Sequence, residues 1–247
     1  YASLACIAIQ SNQNDMFGGQ SINAFDYAMA DGVRKSFRKA VREEAYKALL
    51  YRFGSDCFEE EKTFRQHFDA VMDYEHCSYT ESSADEKSVQ SVTAIRQAIG
   101  VLLSDVYHQP VDEVEKDAKA IYYLACADVV EETHQSMEAL VHNFNTLHSR
   151  AGAQVPFSSI NYGMDTSPEG RLATREVLNA IWSGLGNGET PIFPISVFQL
   201  KAGVNYNPAD KNYDLFQQAC KTSAKRLFPN FVNIDAPYNL KYYKPGD

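Results

Sequence analysis

A group of basic residues near the start of the chain is the first candidate for chemistry. Five cations fall within one predicted helical stretch: Arg34, Lys35, Arg38, Lys39 and Arg42. Three of them recur at every fourth residue, which aligns them along one helix face. Fixed donors on a rigid helix could each take an oxygen of a triphosphate. The alternative is a solvated face whose cations pair with Glu43 and Glu44, and the residue types alone leave both interpretations open.

A second candidate is a polar strand over residues 153–163. Hydrophilic side chains interrupt what should be a buried strand: Gln154, Ser158, Ser159 and Asn161. Burying polar groups costs free energy unless they are hydrogen-bonded. They therefore indicate either a satisfied internal network or a lined ligand cavity. Gly163 allows close backbone approach, and residues 165–167 are suited to cap the helix that follows.

Other reactive residue types lack the spacing of known catalytic or metal sites. The six histidines and five cysteines show no His-Glu-x-x-His or Cys-x-x-Cys pattern. The glycine-rich run 184–188 follows a predicted helix and precedes a strand, the reverse of a phosphate-binding loop, so we interpret it as a helix stop. We expect no catalytic and no metal-binding residue in this chain. The scattered cysteines indicate a reducing, cytoplasmic compartment.

Helices must position the first candidate. Apolar residues at three-to-four spacing predict helices over residues 23–52, 89–106 and 114–148, the last of them very long. Its apolar seam requires another helix against it, in this chain or in a partner. Residues 54–87 are acidic and rich in Ser, with a short helix around Phe64, and we interpret them as a variable insertion.

The periodicity changes after residue 150. Strand-like runs near residues 153–163, 191–200 and 231–234 alternate with helices that begin at Pro168 and near Tyr213. A β-α-β-α-β series of this kind predicts a parallel sheet or barrel segment with helices outside it.

The composition is that of a folded domain. The chain has 247 residues, a formal charge of −9 and 45% hydrophobic residues. The acidic balance argues against a protein whose whole surface binds nucleic acid, but it leaves a local basic patch open. No apolar run approaches the roughly 20 residues of a membrane-spanning helix, so we expect no membrane insertion. The chain opens at Tyr1 without Met and closes on a turn signal, so both ends are expected to be cuts in a longer protein.

Five ordered motifs resemble one enzyme family. The first is residues 10–21, which include Gly18-Gly19. The others are residues 149–163, residues 184–194, Asn212-Tyr-Asp-Leu-Phe216 and Tyr242-Tyr-Lys-Pro-Gly-Asp247. In this order they closely resemble the anaerobic (class III) ribonucleoside-triphosphate reductases. The resemblance covers nearly the whole chain except residues 54–87.

The resemblance implies a fold of the α/β class. The chain would be a helix-rich part of the ten-stranded α/β barrel of glycyl-radical enzymes, with long dimerisation helices. Residues 1–150 would form a mainly helical dimerisation and effector-binding region that includes the insertion at 54–87. Residues 151–247 would form a β-α-β-α-β part of the barrel.

The resemblance also implies a reaction, the reduction of ribonucleoside triphosphates with formate. In the family, an activase containing S-adenosylmethionine and an iron–sulfur cluster generates a glycyl radical, which passes to a cysteine that attacks the ribose. That cysteine, the radical glycine and a zinc site lie in segments outside this chain. We therefore expect a fragment with no turnover and no bound cofactor. Its partners would be a second subunit, the activase, dNTP or ATP effectors, the ribonucleotide and formate, but neither nucleic acid nor membrane.

Two groups of binding residues follow from the resemblance. Lys39 aligns with a position that contacts effector phosphate, Arg38 lies beside it, and Ile7 and Gln10 correspond to the wall near the effector base. Residues 158–166 match the loop that couples effector to substrate. Its expected substrate and coupling residues are Ser158, Ser159, Asn161, Tyr162 and Gly163.

Two alternatives stay open beside this hypothesis. Another glycyl-radical enzyme, acting on a small organic acid, would share the barrel. A helical dimerisation or nucleotide-binding scaffold without its own catalysis would use the seam of helix 114–148 as an interface. A ligand of the folded state must stabilise that state, so the effect of nucleotide on melting temperature separates an effector-binding protein from a purely structural scaffold.

Overall fold

A computed structural model describes residues 1–13, 15, 18–54, 58–82, 84–148, 154–240 and 242. Cys57 and the motif residues 14, 16, 17, 149–153, 243–247 lie outside the described residues. The described helices are α1 (Ala2–Gln13), α2 (Phe25–Phe53), α3 (Glu61–Val71), α4 (Glu86–Val101), α5 (Val114–Thr146), α6 (Pro168–Ser183), α7 (Tyr213–Arg226) and α8 (Pro237–Leu240). The described strands are β1 (Gln20–Ile22), β2 (Ser158–Tyr162), β3 (Ile195–Leu200) and β4 (Asn230–Asn233).

The three long predicted helices are present. α2 and α5 match the predicted ranges to within two residues at each end. The helix predicted over residues 89–106 begins three residues earlier and closes in a π-helical turn, Leu102–Val106. Its earlier start has a local cause, because the Asp85 side chain accepts a hydrogen bond from the Lys87 amide and caps the first turn. In the part of the chain that the structure describes, no helix combines the length and apolarity needed to cross a membrane.

The predicted alternation of strands and helices is confirmed. β2, β3 and β4 are joined through α6 and α7 and pair in parallel. β1 adds a fourth strand, so that the sheet order is β1-β2-β3-β4. This strand was not predicted, because three residues are too few to show a period of two. β3 begins only after Pro194, since proline has no amide hydrogen for the sheet ladder.

The chain divides into two compact units. One contains residues 1–32 and 133–247, and the other contains residues 33–132. The predicted boundary near residue 150 follows the change in secondary-structure type. Packing divides the chain differently, because α1, the start of α2 and the end of α5 belong with the sheet.

The core of the first unit forms around buried aromatic residues of β2 and β3. The Tyr162 ring lies edge-on to Phe198 and to Phe25, with centroids 5.8 and 6.4 Å apart. Residues of α5, α6 and α7 belong to the same buried cluster, among them Phe144, Val177, Leu178, Leu215 and Ala219. Burying each large apolar side chain contributes about 1.5–3 kcal/mol, so this cluster holds the sheet and its helices together.

The second unit has its own aromatic core. Phe37 of α2 lies edge-on to Tyr122 of α5 at 5.9 Å and to Tyr79 at 6.4 Å. Phe64 and Phe68 of α3 are completely buried. The short helix predicted inside residues 54–87 is therefore present and contributes its apolar face to the core.

Candidate functional site

The polar strand β2 presents two faces with different surroundings. Ser158, Ile160 and Tyr162 are buried, whereas Ser159 and Asn161 are partly exposed. Successive side chains of a strand point to opposite faces of the sheet. The structure therefore separates Ser158 and Tyr162 from Ser159 and Asn161, and the predicted coupling residues do not share one surface.

The buried face contains a satisfied polar contact. The hydroxyl groups of Tyr162 and Ser196 lie 2.5 Å apart, and both residues are fully buried. Burial raises the pKa of Tyr162, so its phenol stays neutral. The Ser158 hydroxyl is also buried but makes no hydrogen bond to the described residues. The Tyr162–Ser196 contact therefore fits the interpretation as an internal network, and the Ser158 hydroxyl is not part of one among the described residues.

The opposite face carries a row of hydroxyl and amide groups. Ser21 of β1 is in register with Ser159, and its hydroxyl donates to Asn23 Oδ1 at 2.9 Å. The Asn161 amide approaches the same Asn23 oxygen at 3.4 Å. These side chains are partly or fully exposed. They could hydrogen-bond a polar ligand, which is the second interpretation of the strand.

β2 ends at a turn that requires glycine. Gly163 has φ +113°, a conformation that L side chains rarely adopt. A Cβ at this position would lie 3.0 Å from the Phe198 ring and 3.2 Å from the Gln199 carbonyl oxygen. The close backbone approach predicted for Gly163 is present. Ser167 then caps α6 by accepting a hydrogen bond from the Gly170 amide at 3.1 Å, as its sequence position predicted.

A buried carboxylate holds this turn from one side. Asp26, the second residue of α2, is only 1% exposed. Its Oδ2 accepts hydrogen bonds from the amides of Gly163, Met164 and Asp165 at 2.9, 2.8 and 2.8 Å. Burial raises the pKa of Asp26, and the three amide hydrogen bonds oppose that shift only in part.

Two buried amides hold the turn from the β3–α7 connection. Asn205 Nδ2 donates to the carbonyl oxygens of Gly163 and Gln199, both at 2.8 Å. Asn212 Nδ2 donates to the carbonyl oxygens of Gly163 and Asp165 at 3.2 and 2.9 Å. Both asparagines are completely buried. The turn therefore has hydrogen-bond partners for both its amides and its carbonyl groups.

An ion pair fixes Asn212 in turn. Arg171 of α6 donates to Asn212 Oδ1 at 2.9 Å and to both Asp214 oxygens at 3.0 and 2.7 Å. Partial burial raises the pKa of Asp214, but the hydrogen bonds and positive charge of Arg171 outweigh it and give a net lowering. This bidentate pair ties α6 to the start of α7.

In the second unit, two of the predicted cations contact the segment 54–87. The Arg38 guanidinium lies 5.4 Å from the centroid of the Tyr74 ring, a cation–π contact. Arg42 pairs with Asp69 of α3 at 2.9 Å, and the Tyr74 hydroxyl donates to the same carboxylate. Arg42 therefore has a carboxylate partner that the sequence pattern did not indicate.

Lys39 remains accessible. Its side chain is 53% exposed, and its ammonium group lies 4.0 Å from Glu43. Glu44, the other expected partner, is buried and pairs with Lys47 instead. A half-exposed lysine with one loose ion pair leaves donors available for an anionic ligand.

The remaining predicted effector residues lie on α1, in the first unit. Ile7 is 57% exposed and Gln10 is partly buried. The residues of α1 that enter the core are others, namely Cys6, Ile9 and Gln13. Ile7 and Gln10 are three residues apart and share one side of the helix.

Comparison with known proteins decides the family. The family model described as anaerobic ribonucleoside-triphosphate reductase matches residues 1–246. The chain belongs to the anaerobic ribonucleoside-triphosphate reductase family. This membership confirms the predicted resemblance, and the helix-rich α/β architecture is consistent with part of the glycyl-radical enzyme fold.

Relatives carry the same description. The anaerobic ribonucleoside-triphosphate reductase of Haemophilus influenzae is 38% identical over 126 residues, which are 51% of this chain and 17% of the relative. That of Escherichia coli is 36% identical over 107 residues, 43% of this chain and 15% of the relative. That of the enterobacteria phage T4 is 33% identical over 130 residues, 51% of this chain and 21% of the relative. The aligned part is thus about a fifth of these reductases or less.

Sequence reasoning missed three buried polar residues of this family member. Asp26 was part of a predicted helix start, and Asn205 and Asn212 were not assigned a contact. The polar residues themselves were visible, but their partners lie far away in the chain, 137 residues in the case of Asp26 and Gly163. These polar residues meet their partners only when distant segments of the chain pack against each other.

Proposed function

We propose that this chain is a segment of an anaerobic glycyl-radical enzyme that reduces ribonucleoside triphosphates to deoxyribonucleotides with formate. Family membership supports the reaction class. The observation that carries the assignment within the chain is the polar, accessible face of β2, with Ser159 and Asn161 beside Ser21. A ribonucleoside triphosphate offers many hydroxyl and phosphate oxygens to such donors.

In this proposal the two faces of β2 have different roles. Ser159 and Asn161 hydrogen-bond the ribonucleotide, because their side chains leave the core. Tyr162 anchors the strand from the buried side through its hydroxyl contact with Ser196, and Ser158 is buried on the same face. Gly163 and the turn after it fix the position of the C-terminal end of β2 and therefore of its polar face.

The same segment would carry the specificity site for a deoxynucleoside triphosphate or ATP. Lys39 and Arg38 would contact the phosphates, and Ile7 and Gln10 the base. The exposed Lys39 side chain supports this role, since an ammonium group already buried in a tight ion pair could not bind phosphate without losing its partner.

The radical chemistry would be supplied by other parts of the parent enzyme. The glycyl radical, the zinc site and the radical-accepting cysteine are proposed to lie in segments outside this chain, and an activase to generate the radical. Among the described residues, no group of three His, Cys, Asp or Glu side chains could hold a metal ion, so we assign no step here to a metal. The parent would act as a cytoplasmic homodimer, and the segment alone would not turn over.

The effector site is tested by calorimetry on the full-length enzyme with dATP, dGTP, dCTP and dTTP in turn. Lys39→Ala should weaken the strongest of these about 10- to 100-fold, because a hydrogen bond to a charged group contributes about 1.5–3 kcal/mol. Lys47→Ala is the matched control: it removes an exposed lysine of the same helix that pairs with Glu44. Equal effects of the two substitutions would contradict the assignment of Lys39.

A second candidate function is a helical scaffold that does not bind nucleotide. The contacts of Arg42 with Asp69 and of Arg38 with Tyr74 favour it, because both cations already have partners within the unit. If the scaffold is correct, none of the four nucleotides binds to the wild-type enzyme and none raises its melting temperature.

A further inference from the structure

We propose that Arg42 is a further phosphate-binding residue, and that residues 69–74, here called the strap, occupy it until an anionic ligand displaces them. The inference rests on the proposed function, because the ligand is the deoxynucleoside triphosphate assigned above to Lys39 and Arg38. Its new content is a third cation of that site and an internal competitor for it. All the residues that carry the inference belong to the unit of residues 33–132.

The first step is the contact between the strap and α2. Arg42 Nη1 donates to Asp69 Oδ2 at 2.9 Å, and the Tyr74 hydroxyl donates to Asp69 Oδ1 at 2.5 Å. The Tyr74 ring lies 5.4 Å from the Arg38 guanidinium, a cation–π contact. Burial and the Asp69 carboxylate raise the pKa of Tyr74, so its hydroxyl remains a neutral donor. The strap therefore contacts two cations of the helix through one carboxylate and one aromatic ring.

The second step is the position of Arg42 beside the proposed phosphate contacts. It follows Lys39 by three residues and Arg38 by four, and residues at these spacings are neighbours on a helix surface. A guanidinium presents several N–H donors and commonly binds two oxygens of a phosphate. The Nε atom of Arg42 is buried and makes no hydrogen bond to the described residues. Asp69 thus leaves this donor unused, and a phosphate group offers more acceptor oxygens than a carboxylate does.

The third step is the ease with which the strap can be displaced. The side chains of Arg42 and Asp69 are 23% and 42% exposed, so solvent reaches their ion pair. Exposed ion pairs are weak, because water and salt screen them. A triphosphate brings several negative charges to the same cations, whereas Asp69 brings one, and the attraction grows with the charge. The ligand can therefore compete successfully with the strap.

A purely structural role for the Arg42–Asp69 pair makes a different prediction. If the pair only joins α2 to α3, replacing either residue affects unfolding but leaves nucleotide affinity unchanged. If the strap competes with the ligand, the apparent affinity is reduced by the fraction of molecules in which Arg42 is released. Loss of the competitor then restores the affinity.

The experiment measures the affinity of the full-length enzyme for dATP, dGTP, dCTP and dTTP by calorimetry. The variants are Arg42→Ala, Asp69→Asn and the double variant that carries both substitutions. Asp73→Asn is the matched control, because it removes one negative charge from the strap itself, where the Asp73 carboxylate pairs with His76 at 2.7 Å.

We expect Asp69→Asn to strengthen the binding of the tightest nucleotide about 2- to 5-fold, the equivalent of one exposed ion pair. Arg42→Ala should weaken it about 3- to 10-fold, because the lost phosphate contact is offset in part by the ion pair that no longer has to break. In the double variant the gain from Asp69→Asn should disappear, since that gain requires Arg42. Asp73→Asn should leave the affinity unchanged.

Three results would overturn the inference while leaving the proposed function in place. They are an unchanged affinity in Arg42→Ala, a gain from Asp69→Asn that persists without Arg42, and an equal gain in Asp73→Asn. The last two would show a general effect of charge. Absence of nucleotide binding to both the wild type and Asp69→Asn would overturn the inference and the proposed function together.

A second measurement covers the case in which a variant does not fold. In the wild-type enzyme, the tightest nucleotide should speed hydrogen exchange at the amides of Met72 and Tyr74, which donate to the carbonyl oxygens of Phe68 and Met72 at 2.9 and 3.1 Å. Release of the strap removes the side-chain contacts that hold this turn against α2. Unchanged exchange at both amides with nucleotide bound would contradict displacement of the strap.

Discussion

Ser158 and Ser159 are neighbours in sequence but have opposite surroundings. The first hydroxyl is buried without a hydrogen-bond partner among the described residues, and the second lies on the accessible face of β2. Composition cannot distinguish the two residues. Their roles follow from the alternation of the strand and from which of its faces is covered.

This difference gives a paired test of the substrate face. Ser159→Ala should lower kcat/KM for ribonucleotide reduction by the full-length enzyme about 2- to 10-fold, because a neutral hydrogen bond contributes about 0.5–1.5 kcal/mol. Ser158→Ala removes the same hydroxyl from the buried face and should leave kcat/KM unchanged. Steady-state kinetics of both variants measures these changes. A larger loss of kcat/KM in Ser158→Ala than in Ser159→Ala would contradict the assignment of the substrate to the accessible face of β2.

The Arg171–Asp214 pair makes a pH-dependent contribution to stability. Since the pKa of Asp214 is lowered in the folded state, its carboxylate stabilises the fold above its ordinary pKa of 3.8. That stabilisation is lost as the pH falls through the still lower folded value. Asp214 is about half exposed, so solvent screening limits the contribution to about 1 kcal/mol.

Asp214→Asn should therefore lower the free energy of unfolding at pH 7 and have a smaller effect near pH 3. Urea unfolding of both proteins at pH 7, 5 and 3 measures the difference. A difference that stays constant over this range would show that the charge of Asp214 does not stabilise the fold.

At the scale of elements, α3 gives residues 54–87 a part in the core of their unit. The interpretation as a variable insertion concerns variation among sequences and stays a prediction. The structure adds that this segment contributes completely buried aromatic residues to its unit, with the Phe64 ring 5.5 Å from that of Phe68 and 5.3 Å from that of Tyr46. A segment with such contacts supports the helix it packs against.

Phe64→Ala should destabilise the second unit by about 3–5 kcal/mol, the usual cost of truncating a buried phenylalanine. Tyr51→Ala is the control, because it removes an aromatic ring that is 93% exposed on α2. Denaturant unfolding followed by circular dichroism measures both. A loss for Phe64→Ala as small as that of the control would make α3 dispensable for the core.

For the whole molecule, the distribution of charge matters more for binding an anionic ligand than the total charge does. Residues 33–132 contain 13 basic and 20 acidic residues, a formal charge of −7, and the remaining residues contribute −2 of the total of −9. Within this acidic unit, residues 33–42 carry five cations and no acid. A nucleoside triphosphate would therefore be attracted by the cations of residues 33–42 and not by the net charge of the unit. Raised ionic strength should weaken the Lys39-dependent binding proposed above, because salt screens exposed charges.

The sequence by itself determined helices α2 to α7, the alternation of strands and helices, and the family, whereas the short α8 and the residue pattern of α1 were not recognised as helices. Periods of 3.6 and 2 residues are local properties, and the five ordered motifs are specific enough to indicate the reductases. Residues at the ends of these elements were also predicted, with Gly163 as the stop of β2 and residues 165–167 as capping candidates, of which the structure selects Ser167.

Only the tertiary structure decided which polar residues face the core and which remain accessible. It paired Arg42 with Asp69, left Lys39 half exposed, and placed Asp26 against three amides in a distant turn. It also added β1, whose three residues form a strand only because β2 lies beside them. These features depend on contacts between segments far apart in the chain, and a pattern of neighbouring residues carries no information about such partners.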